Sequence, residues 1–199
     1  MAENYHIAAV KNSLPDVQKT NLWLVEIGIP AGLETYVEGN ELPTTKSLQI
    51  RAKDCKIPGR TMQTIETNFM GMKSTYAGTE DMGNKTVDIG FYEYEDQHVT
   101  RTINVWLNNI FDSMDSRNFM GGHGLAGQKY SNGIRGSAYA SDIKLRLLGM
   151  NGDPLSKMII FHTAWPTSIG DVTLGYDNSG AVENTVTFQY DWWELTDAK

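Results

Sequence analysis

Apolar and polar residues alternate with period 2 along most of the chain, the spacing of half-buried β-strands whose successive side chains point to opposite faces. In residues 22–29, Trp23, Val25, Ile27 and Ile29 share one face and Leu24 and Glu26 the other, and Pro30 ends the run. Residues 47–53 repeat the pattern, with Leu48, Ile50 and Ala52 against Gln49, Arg51 and Lys53. Residues 61–79 read as one long strand with two mixed faces: Gln63, Ile65, Thr67 and Phe69 on one, Met62, Thr64, Glu66, Asn68 and Met70 on the other. A turn at Met82-Gly83-Asn84 would join it to residues 86–94, where Val87, Ile89 and Phe91 point inward and Asp88, Tyr92 and Tyr94 outward, giving a long β-hairpin.

The period then changes. Val99, Ile103, Trp106 or Leu107, and Ile110 recur at spacings of three and four, which predicts one amphipathic helix over about 96–111 with Asp96 as its N-cap. Arg101, Asn104 and Asn108 fall on its solvent side. Strands resume over residues 138–149, with Ile143, Leu145 and Leu147 on one face. Asn151-Gly152-Asp153-Pro154 turns the chain into an antiparallel partner over 155–164. The last third, 161–195, contains an apolar strand expected to break at Trp165-Pro166. It ends in a final strand in which Val186, Phe188, Tyr190 and Trp192 alternate with Thr185, Thr187, Gln189 and Asp191. Trp192-Trp193 puts one indole on each face of that strand, and one of the two is expected to pack on the helix, a loop or a neighbouring subunit. The elements predict a mainly β fold, an antiparallel sandwich or barrel-like domain with one flanking helix.

Two segments carry no period. Residues 1–20 read as an N-terminal arm. Residues 112–137 form a glycine-rich connection of a length that compact domains use mainly for binding or leave disordered. With 199 residues, a single domain spanning 1–199 is the expectation. No apolar run reaches a membrane span, and the acid-bearing N-terminus does not resemble a signal peptide, so the chain is expected to fold in a reducing cytoplasm. The single Cys55 agrees, having no partner for an internal disulfide.

Charge and motif chemistry remove most functional classes. The formal net charge is −7. Over 151–199, Asp153, Asp171, Asp177, Glu183, Asp191, Glu194 and Asp197 face only Lys157 and Lys199, which argues against tight binding to phosphate backbones. Gly122-His123-Gly124-Leu125-Ala126-Gly127 matches a dinucleotide fingerprint in letters, but a helix precedes it and no helical pattern follows, the reverse of the required context. His6, His98, His123 and His162 are scattered without metal-ligand spacing. There is no nucleophile elbow, and Glu93, Glu95 and Asp96 read as a solvated acidic turn ahead of the helix. No enzyme, cofactor or metal site is expected.

Four segments carry a family likeness: FMGMKSTYAGTED at 69–81, DIGFYEYED at 88–96 running into the helix with Trp106, AWPTSIG at 164–170, and TVTFQYDWWEL at 185–195. In their order and spacing, over residues 20–195, the chain resembles the tail tube proteins of contractile-tailed bacteriophages, relatives of the type VI secretion tube protein. The resemblance implies a structural virion protein that forms hexameric rings. The rings stack into a tube within the sheath, and long strands join a barrel between subunits around the lumen. The implied partners are further copies of the chain, the tail sheath, the tape-measure protein in the lumen, the baseplate tube initiator, and DNA in transit. A tube initiator or a type VI-like secretion tube protein is the alternative, and a β-sandwich binding module a more distant one. Glu66, Asn68, Asp88 and Tyr92, on the more polar strand faces, are the lumen candidates. The turn Lys56-Ile57-Pro58-Gly59-Arg60 and Trp193 are the candidates for contacts between rings or subunits.

Overall fold

The computed structural model describes residues 18–30, 33, 45–81, 85–110, 139–175 and 180–197. Most of the N-terminal arm, the expected turn at 82–84 and the glycine-rich stretch at 112–137 lie outside them. The described elements are β1 (Trp23–Ile27), α1 (Thr45–Arg51), β2 (Ala52–Cys55), β3 (Thr61–Phe69), β4 (Met72–Asp81), β5 (Thr86–Tyr92), α2 (His98–Ile110), β6 (Ser141–Leu148), β7 (Pro154–Ile169), β8 (Glu183–Gln189) and β9 (Trp192–Asp197). The fold is mainly antiparallel β with a flanking helix, as the alternation predicts.

Two sheets share the 16-residue strand β7. Its first part pairs with β6 on one edge and β9 on the other, and β6 carries β1, giving the sheet β1-β6-β7-β9. Its last part pairs with β8, which carries β5 and then β2, giving the sheet β7-β8-β5-β2. Both sheets turn apolar residues into one core: Val25, Ile27, Ile143, Leu145 and Phe161 from the first, Val87, Ile89, Phe91, Val186 and Phe188 from the second. Helix α2 adds Val99, Ile103 and Trp106. The Trp106 ring meets Phe188 edge-on at 6.1 Å, and its indole N–H donates to the Tyr139 carbonyl at 2.6 Å.

Beyond Phe161 the chain does not break at Trp165-Pro166 as expected; β7 runs on to Ile169. One irregularity lies earlier, at Thr163, whose φ of 55° is in the left-handed region, and a second lies at the expected step, where the register against β8 shifts between Pro166 and Ser168. Phe161 faces the core before Thr163, and Ala164 and Pro166 after it, so the inward set changes from odd to even positions. Opposite Thr163, Asp191 interrupts the expected final strand and divides it into β8 and β9. Both nevertheless follow β7 in one continuous register, from Lys157↔Asp197 and His162↔Trp192 to Trp165↔Gln189 and Pro166↔Phe188. The inversion therefore occurs at the same level in both strands. It puts Trp193 rather than Trp192 on the face shared with Phe161, and Trp192 stands 46% exposed.

Two further expectations are corrected. Residues 47–53 are not a strand: α1 ends at Arg51 and β2 begins at Ala52. In a helix, positions two apart point roughly 200° apart, so Leu48 reaches the core while Ile50 is 81% exposed. The expected hairpin of 61–79 with 86–94 is also absent. Residues 61–81 fold on themselves as β3 and β4, and β5 pairs with β2 and β8.

At the start of α2, Glu93 caps more strongly than the expected Asp96. Its carboxylate accepts from the backbone N–H of Val99 at 3.2 Å and of Thr100 at 2.8 Å. It also accepts from the Thr100 hydroxyl at 2.7 Å and from the amide of buried Asn184 at 2.8 Å, tying the helix to β8. Asp96 accepts from the His98 N–H only at 3.5 Å and instead pairs with Arg51 of α1. Hydrogen bonds from Arg51, with a smaller contribution from His98, hold the Asp96 carboxyl down at about 2. A carboxylate depressed in the folded state stabilises the fold above its unfolded value of about 4. That contribution is lost as pH falls toward about 2. Asp96→Asn is expected to lower the denaturation midpoint at pH 7, and the gap to the parent should narrow as pH falls from about 4, read by chemical denaturation across pH.

Candidate assembly surfaces

The β3–β4 hairpin is joined by Met70-Gly71, with φ of 49° and 80°. A two-residue turn of type I′ needs positive φ at both positions, which the glycine supplies without steric cost. Below the turn, Phe69 pairs with Met72, Thr67 with Ser74 and Ile65 with Tyr76, while Asn68 pairs with Lys73, Glu66 with Thr75 and Thr64 with Ala77. Paired residues share a face, so one side carries Ile65, Phe69, Met72 and Tyr76 around the Thr67–Ser74 pair, and the other Thr64, Glu66, Asn68 and Lys73. Every described residue of β3 is exposed, and Phe69, Met72, Tyr76 and Ile65 are 71, 70, 58 and 55% exposed. Among the described residues nothing covers the apolar side. On the polar side Glu66 and Lys73 form an ion pair of 2.7 Å.

The linker 56–60 leads into this hairpin. Ile57 is 42% exposed, Lys56 donates its backbone N–H to the Asp88 carbonyl at 3.1 Å, and Pro58 is half-buried. Arg60 grips Glu80 of β4 with two hydrogen bonds of 2.6 and 2.8 Å, holding that carboxyl below its ordinary range, and its guanidinium lies 5.4 Å from the centre of the Trp193 ring. Two sequence candidates, Arg60 and Trp193, thus meet at the base of the hairpin inside one subunit, and Trp193 also packs on the core.

The outer face of β2-β5-β8 is the second polar surface. Asp88 and Tyr92 both point outward here, as their alternation with Val87, Ile89 and Phe91 predicts. Asp88 accepts from the Thr187 hydroxyl at 2.8 Å. Asp54 lies over Gly90, where a Cβ would fall 2.5 Å from its carboxylate oxygen, so the glycine leaves room for the acid. Lys53 pairs with Glu183 and sits 5.6 Å from the Tyr92 ring centre. Asp54, Asp88 and Glu183 thus outnumber the single Lys53. Burial, with Asp54 and Asp88 adding to it, pushes the Cys55 thiol up to about 12, so it stays protonated and unreactive.

The four lumen candidates therefore lie on two surfaces: Glu66 and Asn68 on the hairpin, Asp88 and Tyr92 on the body. The sequence reading missed Met72 and Tyr76, which complete the apolar face. The Met70-Gly71 pair within an otherwise alternating run was the available sign. Among the described residues no group of three or more His, Cys, Asp or Glu could hold a metal ion, and no helix is long and apolar enough to cross a membrane.

A family model described as phage tail tube protein matches residues 18–196. The chain belongs to the phage tail tube protein family. It is a structural protein of the virion tail rather than an enzyme. Among solved structures, this tail tube family member is similar to the tube-terminating cap of the anti-feeding prophage, with a TM-score of 0.59 and 13% identity over 94% of this chain and 95% of that one. It is also similar to two components of the PVC extracellular contractile injection system in the extended state. The sheath/tube terminator gives a TM-score of 0.57 at 12% identity over 92% of this chain and 99% of that one. The sheath–tube complex gives 0.56 at 12% identity over 97% and 99%. At such identities the likeness concerns the fold. No curated protein matches the chain significantly.

Proposed function

We propose that the chain closes into hexameric rings that stack as the conduit of the phage tail, the apolar side of each β3–β4 hairpin being buried against the next copy. The observation that carries this reading is that uncovered side, Ile65, Phe69, Met72 and Tyr76, on a hairpin whose own subunit leaves it in water. An isolated two-stranded hairpin is marginally stable in water at best, so a hairpin built this way is completed by a neighbour. Identical subunits joined by two different patches close into rings or extend into filaments, which a tube requires of its protomer. Ile57 and Pro58 extend the same contact surface beside the hairpin base.

The outer face of β2-β5-β8 is the proposed lumen wall, with Asp88 and Tyr92 at its centre and Glu66 and Asn68 on the polar side of the hairpin continuing it. Its carboxylates outnumber its cations, and Lys53 and Lys73 are each paired with an acid, which suits a channel through which DNA passes without being held. The tape-measure protein would occupy this lumen before ejection, the sheath the outside of the tube, and the baseplate initiator its first ring.

Negative-stain microscopy of the concentrated full chain tests the proposal. Tubes of unlimited length are expected. Rings that never lengthen would instead favour a tube initiator, and monomers at every concentration would refute assembly.

A further inference from the structure

His162 sits on the outer face of β1-β6-β7-β9, one residue before the inversion at Thr163, and acids approach both of its ring nitrogens. Nδ1 is 3.4 Å from Asp142 of β6, and Nε2 is 3.4 Å from Glu194 of β9. Its ring stacks on Trp192 of β9 with centroids 4.0 Å apart and planes 21° from parallel. The backbone is tied at the same place: the His162 carbonyl accepts from the Asp191 N–H at 3.1 Å, and the Thr163 N–H donates to Asp142 at 3.2 Å. One imidazole therefore touches both strands that flank β7. The other charged group on this face of the flanking strands nearby is Lys144, one pleat further along β6, opposite Ile160; the facing position on β9 is Glu194 itself.

We propose that His162 is a proton-dependent clasp that fastens β9, the strand carrying Trp193, to the rest of the sheet. A neutral imidazole has one N–H donor and can satisfy only one of the two carboxylates, leaving a ring lone pair facing the other. An imidazolium has two donors and satisfies both, and the added charge favours both acids and the Trp192 face. The fastening is therefore complete when the ring carries both protons and weaker when it carries one. Because Trp193 lies beneath Arg60 at the hairpin base, loosening β9 also releases one of the supports that hold the hairpin.

The experiment is hydrogen–deuterium exchange of the full chain at a concentration verified as monomeric by sedimentation, following peptides across 192–197 at pH 5.5 and pH 8. Rates are divided by the intrinsic exchange rate at each pH. With partly exposed partners, β9 is expected to be about two- to fivefold better protected at pH 5.5. In His162→Gln, which keeps one hydrogen bond but cannot gain the proton, that difference should vanish, while β5 peptides are unchanged. His98→Gln, the control among the described histidines, should keep it. Equal protection at both pH values in the parent chain, or an undiminished difference in His162→Gln, would overturn the clasp. Should His162→Gln fold poorly, Glu194→Gln provides the second arm: it removes one of the two acids and is expected to reduce the pH difference, and a difference left intact would count against the proposal.

Discussion

Replacing Ile65 and Phe69 together by serine is expected to leave a folded monomer that no longer forms rings or tubes. Both side chains are more than half exposed in the subunit, so their loss removes little from its own core, and the melting temperature should move by no more than a few degrees. In an assembly that buries them the same change is large. Full burial of such side chains contributes about 1.5–3 kcal/mol each, and with 55 and 71% of them still exposed one contact loses about 2–4 kcal/mol. At 1.4 kcal/mol per tenfold, the concentration needed for assembly should rise by at least about one order of magnitude, measured by sedimentation and microscopy. Asn68→Ser, on the polar side of the same strand, should assemble like the parent. Loss of assembly from both sides equally would mean that the apolar side is not the contact.

Trp106→Ala is expected to have the largest effect on stability, about 3–5 kcal/mol by the usual cost of emptying a buried aromatic site. The indole is 2% exposed, fills the space between α2 and the sheet, meets Phe188 edge-on and donates its N–H to the Tyr139 carbonyl. For a domain of this size that corresponds to a fall in Tm of roughly 6–20 °C. Trp106→Phe should lose less, since a ring still packs on Phe188 and what goes is the hydrogen bond and some volume. An alanine variant with an unchanged Tm would show that α2 is not part of the cooperative core.

The two predictions separate what the subunit uses for itself from what it offers to others, and that separation was only half visible in the residues. The strand β5 and the hairpin of β6 with β7 could be read directly, because each buries one face and the alternation records it. Helix α2 could be read because Val99, Ile103 and Trp106 repeat at helical spacing. The β3–β4 hairpin was misread as half of a longer one. Its alternation continues on both sides of Met70-Gly71, and a period of 2 does not say where a strand reverses. Seen as one strand, 61–79 has two mixed faces; once folded at Met70-Gly71, Met72 and Tyr76 join Ile65 and Phe69, and one face becomes apolar.

Helix α1 failed for a different reason. Leu48, Ile50 and Ala52 imitate a strand, and seven residues are too few for helical spacing to outweigh that pattern. The surroundings decided it: Leu48 is in the core, and Arg51 is paired with Asp96 in the turn ahead of the neighbouring helix.

By itself the sequence determined the class of the fold, the positions of most strands, the long amphipathic helix, the acidity of the surface and, through four motifs, the family. These follow from local periods and residue chemistry, which are written in consecutive positions. The tertiary structure alone decided which strands are neighbours, where β7 and the β8–β9 run invert their faces, and that Arg60 meets Trp193 and Glu80. It also decided that His162 lies between Asp142 and Glu194. The side-chain meetings among these join residues 20 to 133 positions apart, and the energy that selects them comes from burial and charge across the whole sheet, which no local period records.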